Sequence, residues 1–309
     1  MIKVSASFPT LSRKDRGINS SGPKEFLYGT NRIEKKYEIL YVNSRTNPTN
    51  IFYNILLLTE ILINRLTNFG IYKTRVLINQ NLYKDSDIII SFTDAYSINI
   101  GLYFKKNKNQ KLIGVFHGLS DFNFRIPFIF RSYFKKKLSV ALNQLDFCLF
   151  LGDEDLLHTR SIFPFISKKS KLFKFGVDHL FWKPISIEET IDVFCVGYDI
   201  NRDYEILKNI SARINIKLLT SKKVNLNNHK NIELINGSFG NSSITDHQLR
   251  ILYNSSKIIL IPLKDVFQPS GQSVALQAMS CGKTVIISLT KGVFDKAHLK
   301  DNYNIVFVK

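Results

Sequence analysis

Short β-rich runs alternate with helical patterns along the whole chain, and this alternation limits the possible folds more than any other feature of the sequence. Strands separated by helix-length segments are joined most simply as parallel βαβ crossovers, which gives an α/β protein. In the first half, Ile39–Val42, Asp87–Ser91, Lys111–Phe116 and Phe147–Leu151 read as strands. In the second half, Asp192–Val196, Ile216–Leu219, Lys257–Ile261 and Thr284–Ser288 do the same, and Asn304–Val308 reads as one more strand. Helical patterns cover Pro48–Leu66, Glu154–Ile162, Asp203–Ile210, Asp246–Asn254 and Ser273–Ser280. Pro48 suits a first helical turn, which has no use for its missing N–H. The 309 residues suit two domains of about 150 residues each. Phe175–Pro184 looks like the passage between them, so the expected domains are residues 1–184 and 185–309.

Composition adds two constraints. Hydrophobic residues at 44% and charged residues at 22% leave enough apolar material for two packed cores. Cys148, Cys195 and Cys281 are far apart, lie in or beside apolar runs and lack metal-ligand spacing, so they read as buried thiols of a reducing compartment. The net charge is +18. Residues 1–184 carry 28 Lys/Arg against 14 Asp/Glu, a net of +14, whereas residues 185–309 carry 15 against 11, a net of +4. An AT-rich coding bias would act evenly, so the local excess points to a basic face in the first half. The N-terminal MIKVSASFP has no apolar signal core or cleavage site. The longest apolar stretch, Ile51 to Leu66, is broken by Asn54, Glu60, Asn64 and Arg65 and reads as a buried helix, not a membrane span. The expected location is the cytoplasm, with the inner membrane face as a candidate site of peripheral attachment.

The most informative stretch is FQPSGQSVALQAMSCG, Phe267–Gly282, followed by KTVIIS. It reads as a Pro/Gly loop, a helix, Gly282 as the helix stop and a buried strand. Ser270 or Ser273 can cap the helix start, where free N–H groups and the helix dipole favour a phosphate. Gly271 lets the backbone approach a ligand closely. A routine loop–helix–strand connection would show the same spacing.

The segment Gln277-Ala278-Met279-Ser280-Cys281-Gly282-Lys283-Thr284-Val285 resembles the donor motif of the GT-B, glycogen-synthase-like glycosyltransferases (the group 1, family 4 type). That resemblance implies two Rossmann-like domains with parallel sheets facing an interdomain cleft. A Rossmann-like half ordinarily adds a helix after its last strand, so the C-terminal domain is expected to be shortened. By the same resemblance, Gln272 and Ser273, beside Ser270 and Gly271, offer backbone N–H groups to the donor diphosphate, and Gln277 takes the ribose-binding position. The chain departs from the pattern at Gln277 and at Pro269, eight residues earlier, where the family usually has Glu. VFCVGYDINRDYEIL, Val193–Leu207, resembles the opening of the family's C-terminal domain and implies that Gly197 lies at the donor while Arg202 points at its phosphates. Lys222 or Lys223, after the strand ending LLTS, could add to this charge or stand solvated. Gly176-Val177-Asp178, with Phe181 and Pro184, resembles the family's domain crossover and reads as structural.

In the first half, His117 and Gly118 follow a buried strand, and the resemblance implies a substrate-facing, catalytic role for His117. The loop Arg16–Gly22 resembles the family's Gly-containing loop after its first strand. FNFRIPFIFRSYFKKK, Phe122–Lys137, joins six aromatics to five cations without an acid. It reads either as a core helix with a solvated basic end or as a surface for anionic lipid.

The expected activity is transfer of a sugar from a nucleotide-sugar donor to a hydroxyl on a glycan or lipid-linked acceptor, in polysaccharide, lipopolysaccharide or glycolipid assembly. The resemblance implies a retaining hexosyltransferase with no cofactor beyond the donor and no required metal. An anionic membrane is a further candidate partner, and no nucleic acid is expected. The alternatives are a sugar-nucleotide epimerase, a non-catalytic subunit of the same fold and a peripheral membrane-binding protein.

Overall fold

The computed structural model describes residues 1–8, 22–44, 50–210, 212–226, 229–237 and 244–309. The chain divides into two compact units: residues 1–14 with 29–174, and residues 15–28 with 175–309. This division falls ten residues before the expected boundary and adds an N-terminal segment to the second unit. Side-chain chemistry accounts for both shifts. Phe175 meets the rings of Phe26 and Tyr28 at 5.7 and 5.6 Å, and the Lys24 N–H donates to Asp178 at 3.1 Å. The expected loop Arg16–Gly22 lies outside the described residues except for Gly22, as does Pro48.

Among the described residues the first unit holds six parallel strands: β1 (Lys3–Phe8), β2 (Glu38–Asn43), β3 (Ile88–Ser91), β4 (Lys111–Phe116), β5 (Phe147–Phe150) and β6 (Ser170–Leu172). Their order across the sheet is β2-β1-β3-β4-β5-β6. The helices are α1 (Ile51–Thr67), α2 (Lys73–Tyr83), α3 (Asp94–Tyr103), the single turn α4 (Phe122–Arg125), α5 (Phe128–Gln144) and α6 (Asp153–Ile162). Strand β1 carries Ser5 and Ser7 in buried positions, where their hydroxyls bond Ser86 at 2.7 Å and Tyr83 at 3.1 Å. Helix α3 is the central helix, buried from Tyr96 to Gly101. It touches α5 so closely that a Cβ on Gly101 would lie 2.5 Å from the Ala141 carbonyl oxygen.

Helix α1 reverses the sequence expectation of a buried helix. Its buried residues are Glu60 and Thr67, while Ile51, Phe52, Ile55, Leu58, Leu62 and Leu66 are exposed. The polar groups face inward because they are used there. Glu60 Oε1 accepts from the backbone N–H and the hydroxyl of Thr74 at 2.6 and 2.7 Å, and Asn64 exchanges two bonds with the backbone of Ile71.

The second unit also has six parallel strands: β7 (Ile191–Val196), β8 (Ile216–Thr220), β9 (Ile232–Asn236), β10 (Ser256–Ile261), β11 (Thr284–Ser288) and β12 (Val306–Val308). The order β12-β11-β10-β7-β8-β9 reverses direction between β7 and β10, as in dinucleotide-binding sheets, where ligands bind beyond the strand ends at the reversal. Alternation along β7 separates the two cores: Phe194 and Val196 pack with α8 (Gln272–Ser280), while Val193 and Cys195 face Tyr204 and Leu207. The remaining helix, α7 (Asp246–Asn254), begins with a capping box between Thr245 and Gln248. The helix expected at Asp203–Ile210 is a shorter 3-10 stretch, Tyr204–Asn209. All three cysteines are buried thiols, and burial pushes Cys148 and Cys195 up to about 12 and Cys281 up to about 11.

The α3–α5 crossing has no room for a side chain. Gly101→Val should destabilise the first unit by about 1–3 kcal/mol through overpacking. Urea denaturation measures this, and an unchanged midpoint would contradict so close a contact.

Candidate functional site

In the second unit the loop after β7 sits at the sheet reversal. Residue Arg202 pairs as an isolated bridge with Leu263, just beyond β10, and the Asp203 N–H donates to the Pro262 carbonyl at 3.0 Å. These bonds fix the Arg202 backbone across the β7/β10 crevice. Its side chain is 3% exposed. Two glycines shape its slot. A Cβ on Gly197 would run into Arg202 Nε and lie 2.8 Å from Cζ, and a Cβ on Gly271 would lie 3.3 Å from Nη1. Gly271 also has φ +77°, the left-handed conformation that a glycine adopts without penalty.

Arg202 has a partial counter-charge. Asp199 Oδ2 lies 2.8 Å from Nε but out of line with the N–H, so the contact is an ion pair without a hydrogen bond. Both Nε and Nη1 are buried without an acceptor. Lys222 Nζ donates to the Arg202 carbonyl at 2.8 Å, and the Lys264 backbone N–H donates to Asn201 at 2.8 Å. Burial, followed by the charge of Lys264, pushes the Lys222 ammonium below its ordinary value. A ring of cations therefore stands at the ends of β7, β8 and β10.

Helix α8 opens beside this ring. Gly271 is its N-cap, with no side-chain cap. The expected serine cap is absent because the Ser270 hydroxyl accepts from Asn201 Nδ2 at 2.8 Å, tying the two ligand-edge loops together. Gln272 and Ser273 form the first turn, ahead of the first intrahelical bond, Ala275 N–H to Gly271 O at 2.9 Å. Gly197, Arg202, Ser270, Gly271, Gln272 and Ser273 thus gather at one edge.

Gln277 points elsewhere. It is wholly buried, its carbonyl accepts from Tyr253 Oη at 3.1 Å, and its amide donates to Glu25 Oε1 at 2.8 Å. Trp182 Nε1 donates to the same oxygen at 2.8 Å. The ribose role implied for Gln277 gives way to this internal network. Burial, the largest influence, raises the Glu25 carboxyl above its ordinary value. Sequence reading missed Glu25 because 252 residues separate it from Gln277. It also missed Asp199, Asn201 and Lys264, although all three stand beside strand ends, where an α/β sheet gathers its ligand groups.

In the first unit His117 follows β4. Its backbone N–H donates to Asp94 Oδ1 at 2.5 Å, and its ring Nε2 lies 3.0 Å from the Phe92 carbonyl, which can only accept. Nε2 therefore carries the proton. Burial lowers the ring pKa, opposed by Asp94, so the imidazole is neutral at pH 7. Asp155 accepts the N–H groups of Leu119 and Ser120 at 3.3 and 2.8 Å and braces the same turn. Burial, aided by Asp94, raises its carboxyl from 3.8 to about 7.

Two stability predictions follow from these buried acids. Glu25→Ala leaves Trp182 Nε1 and the Gln277 amide unpaired and should cost about 1–3 kcal/mol, with a smaller loss for Glu25→Gln. Urea denaturation of the two variants checks the ranking. For Asp155, the native state keeps a proton that the unfolded chain releases between pH 3.8 and about 7, so its contribution to stability falls as pH rises through that window. Asp155→Asn should flatten this slope in denaturation curves recorded across the same range.

No family model matches the chain, and no curated protein matches it by sequence. Solved structures do. Sucrose-phosphate synthase from Thermosynechococcus elongatus superimposes with a TM-score of 0.68 at 13% identity, over 100% of this chain and 86% of that one. HepE of Anabaena in complex with UDP-glucose gives 0.62 at 10% identity, over 100% and 85%. A trehalose-6-phosphate structure from E. coli, bound with UDP-2-fluoro glucose, gives 0.59 at 10% identity, over 94% and 85%. With its two six-stranded parallel sheets, the chain has the fold of the GT-B glycosyltransferases.

Proposed function

We propose that this protein transfers a glycosyl group from a nucleotide sugar to a hydroxyl acceptor. The observation that carries the reading is Arg202, a buried guanidinium with two unpaired donors held between Gly197 and Gly271 beside the start of α8. A buried cation with free N–H groups is stabilised by an anion that accepts from it, and a diphosphate supplies several acceptor oxygens. The first-turn N–H groups of α8 add donors and a favourable dipole. The HepE and trehalose-6-phosphate structures contain uridine sugar nucleotides, in keeping with this donor class.

The chemistry follows from charge. As the bond from the anomeric carbon to phosphate breaks, negative charge grows on the departing diphosphate. Preorganised donors stabilise that charge more than they stabilise the intact donor. Arg202, Lys222, Lys264 and the α8 start are the groups assigned to this task. His117, which follows β4 at the sheet edge, is assigned a hydrogen-bonding role toward substrate. The acceptor class is a glycan or lipid-linked hydroxyl presented at a membrane, and the outcome is retention of a hexosyl configuration.

Calorimetry with nucleoside diphosphates, paired with transfer of a labelled sugar, tests the proposal. Arg202→Ala should weaken diphosphate affinity by about 10- to 100-fold, the worth of a hydrogen bond to a charged group. Gly197→Ala should act in the same direction while keeping the charge, because the new methyl displaces the guanidinium. Unchanged affinity in both variants overturns the assignment. Tight binding without transfer or hydrolysis of the donor would identify a non-catalytic binding subunit instead.

A further inference from the structure

Water selects helices that put polar groups outward and apolar groups inward. Helix α1 does the reverse in its C-terminal half and keeps large apolar residues outward along its whole length. At 100° per residue, Glu60, Asn64 and Thr67 point to one side, where they bond Thr74, Ile71 and the helix's own backbone. The opposite side carries Ile51, Phe52, Ile55, Leu58, Leu62 and Leu66, each between 57% and 77% exposed. The arrangement is fixed by hydrogen bonds on the polar side, so it is not a loosely docked helix that could turn its apolar face inward.

A second exposed apolar group lies in the same unit, on α4 and α5: Phe124, Phe128, Ile129 and Tyr133. The helices that carry them meet through the core, where Phe69, just past the end of α1, stacks on Phe134 of α5 with centroids 4.1 Å apart. Cations are interleaved with the rings: Arg131 lies over Phe128 at 5.8 Å, Lys137 over Tyr133 at 5.5 Å and Lys73 over Tyr103 at 5.6 Å. Lys135 and Lys136 stand exposed on the same helix, and α5 contains no acid. The only acid of α1 is Glu60, which is buried.

We infer that α1 and the α4–α5 face together form an in-plane docking surface for an anionic lipid bilayer. Apolar side chains enter the acyl boundary, and the neighbouring cations meet lipid headgroups. A second copy of the chain is the poorer occupant, since it would bring another strongly cationic face against the first. The surface is not a membrane span: among the described residues no helix is long and apolar enough to cross a bilayer. The inference rests on the first unit alone and is independent of the donor reading.

Sedimentation with vesicles of phosphatidylcholine, and of phosphatidylcholine mixed with phosphatidylglycerol, tests it on the full chain. The wild type should bind the anionic vesicles preferentially, and added salt should weaken that binding. Leu58→Asp/Leu62→Asp should lower vesicle partition by roughly tenfold or more. Lys135→Ser/Lys136→Ser should lower it less and reduce the salt dependence. Both pairs are exposed, and thermal melts should show each variant folded. Calorimetric affinity for nucleoside diphosphates should be unchanged in both, which separates failure here from failure of the glycosyl-transfer proposal. Absence of wild-type binding to anionic vesicles overturns the inference. So does unaltered binding of Leu58→Asp/Leu62→Asp, or light scattering that shows a wild-type dimer which these two substitutions dissociate.

Discussion

The Arg202 guanidinium is a full positive charge held 3% exposed at the point where the second sheet reverses direction. Asp199 offsets it in part, but Nε and Nη1 are left without acceptors, and each such group costs about 1–3 kcal/mol. Several local features shape its slot. Gly197 has no side chain because the guanidinium occupies that space, Gly271 adopts a left-handed conformation beside it, and Asn201 ties the two flanking loops through Gln268 and Ser270. A sheet that ended in neutral loops at this edge would need none of these features. Their cost is intelligible if a polyanion completes the coordination.

The Glu25 network settles a different question in the same unit. A Gln stands at position 277, where the resembling family has Glu, and the sequence alone leaves its consequence open. Its partners decide: Tyr253 donates to the amide carbonyl, while Glu25 accepts from both the amide and Trp182. Gln277 thus supplies both a donor and an acceptor to the interior, which a carboxylate could not do while ionised. The carboxylate of this network comes instead from the N-terminal segment, and that segment is fixed to the second unit by the same bond.

Much of the parallel α/β plan was legible because most of the strands are short buried apolar runs, and Lys111–Phe116 and Thr284–Ser288 were delimited to the residue. Where periodicity failed, the cause was polar burial. Strand β1 alternates Val4, Ala6 and Phe8 with Ser5 and Ser7 over only a few residues, and its serines are buried too, through hydroxyl pairs that no local pattern shows. Helix α3 is buried on every side between Tyr96 and Gly101, which removes the amphipathic signal. Helix α1 was legible as a helix but misread in orientation, since nothing local shows that Glu60 is needed by Thr74. At the candidate site, residues of the two local motifs could be picked out, while Lys264 reaches it, and Glu25 reaches Gln277, only through the fold. The serine cap failed because Ser270 bonds Asn201 from another loop, a tertiary competitor that no local rule describes.

The inward pull on acids has an electrostatic consequence for the first unit. Glu60, Asp121 and Asp155 are all buried, and Asp155 is held largely protonated up to about pH 7. Glu60 and Asp155 accept bonds that fix a helix start and a turn. Lysines are costlier to bury in this way, because an ammonium without acceptors loses its hydration with nothing in return. They therefore remain outside, at Lys135 and Lys136 beside the exposed rings of α5. The burial of Glu60 and Asn64 that holds α1 turns its leucines and isoleucines outward, so a set of internal hydrogen bonds generates the exposed apolar face.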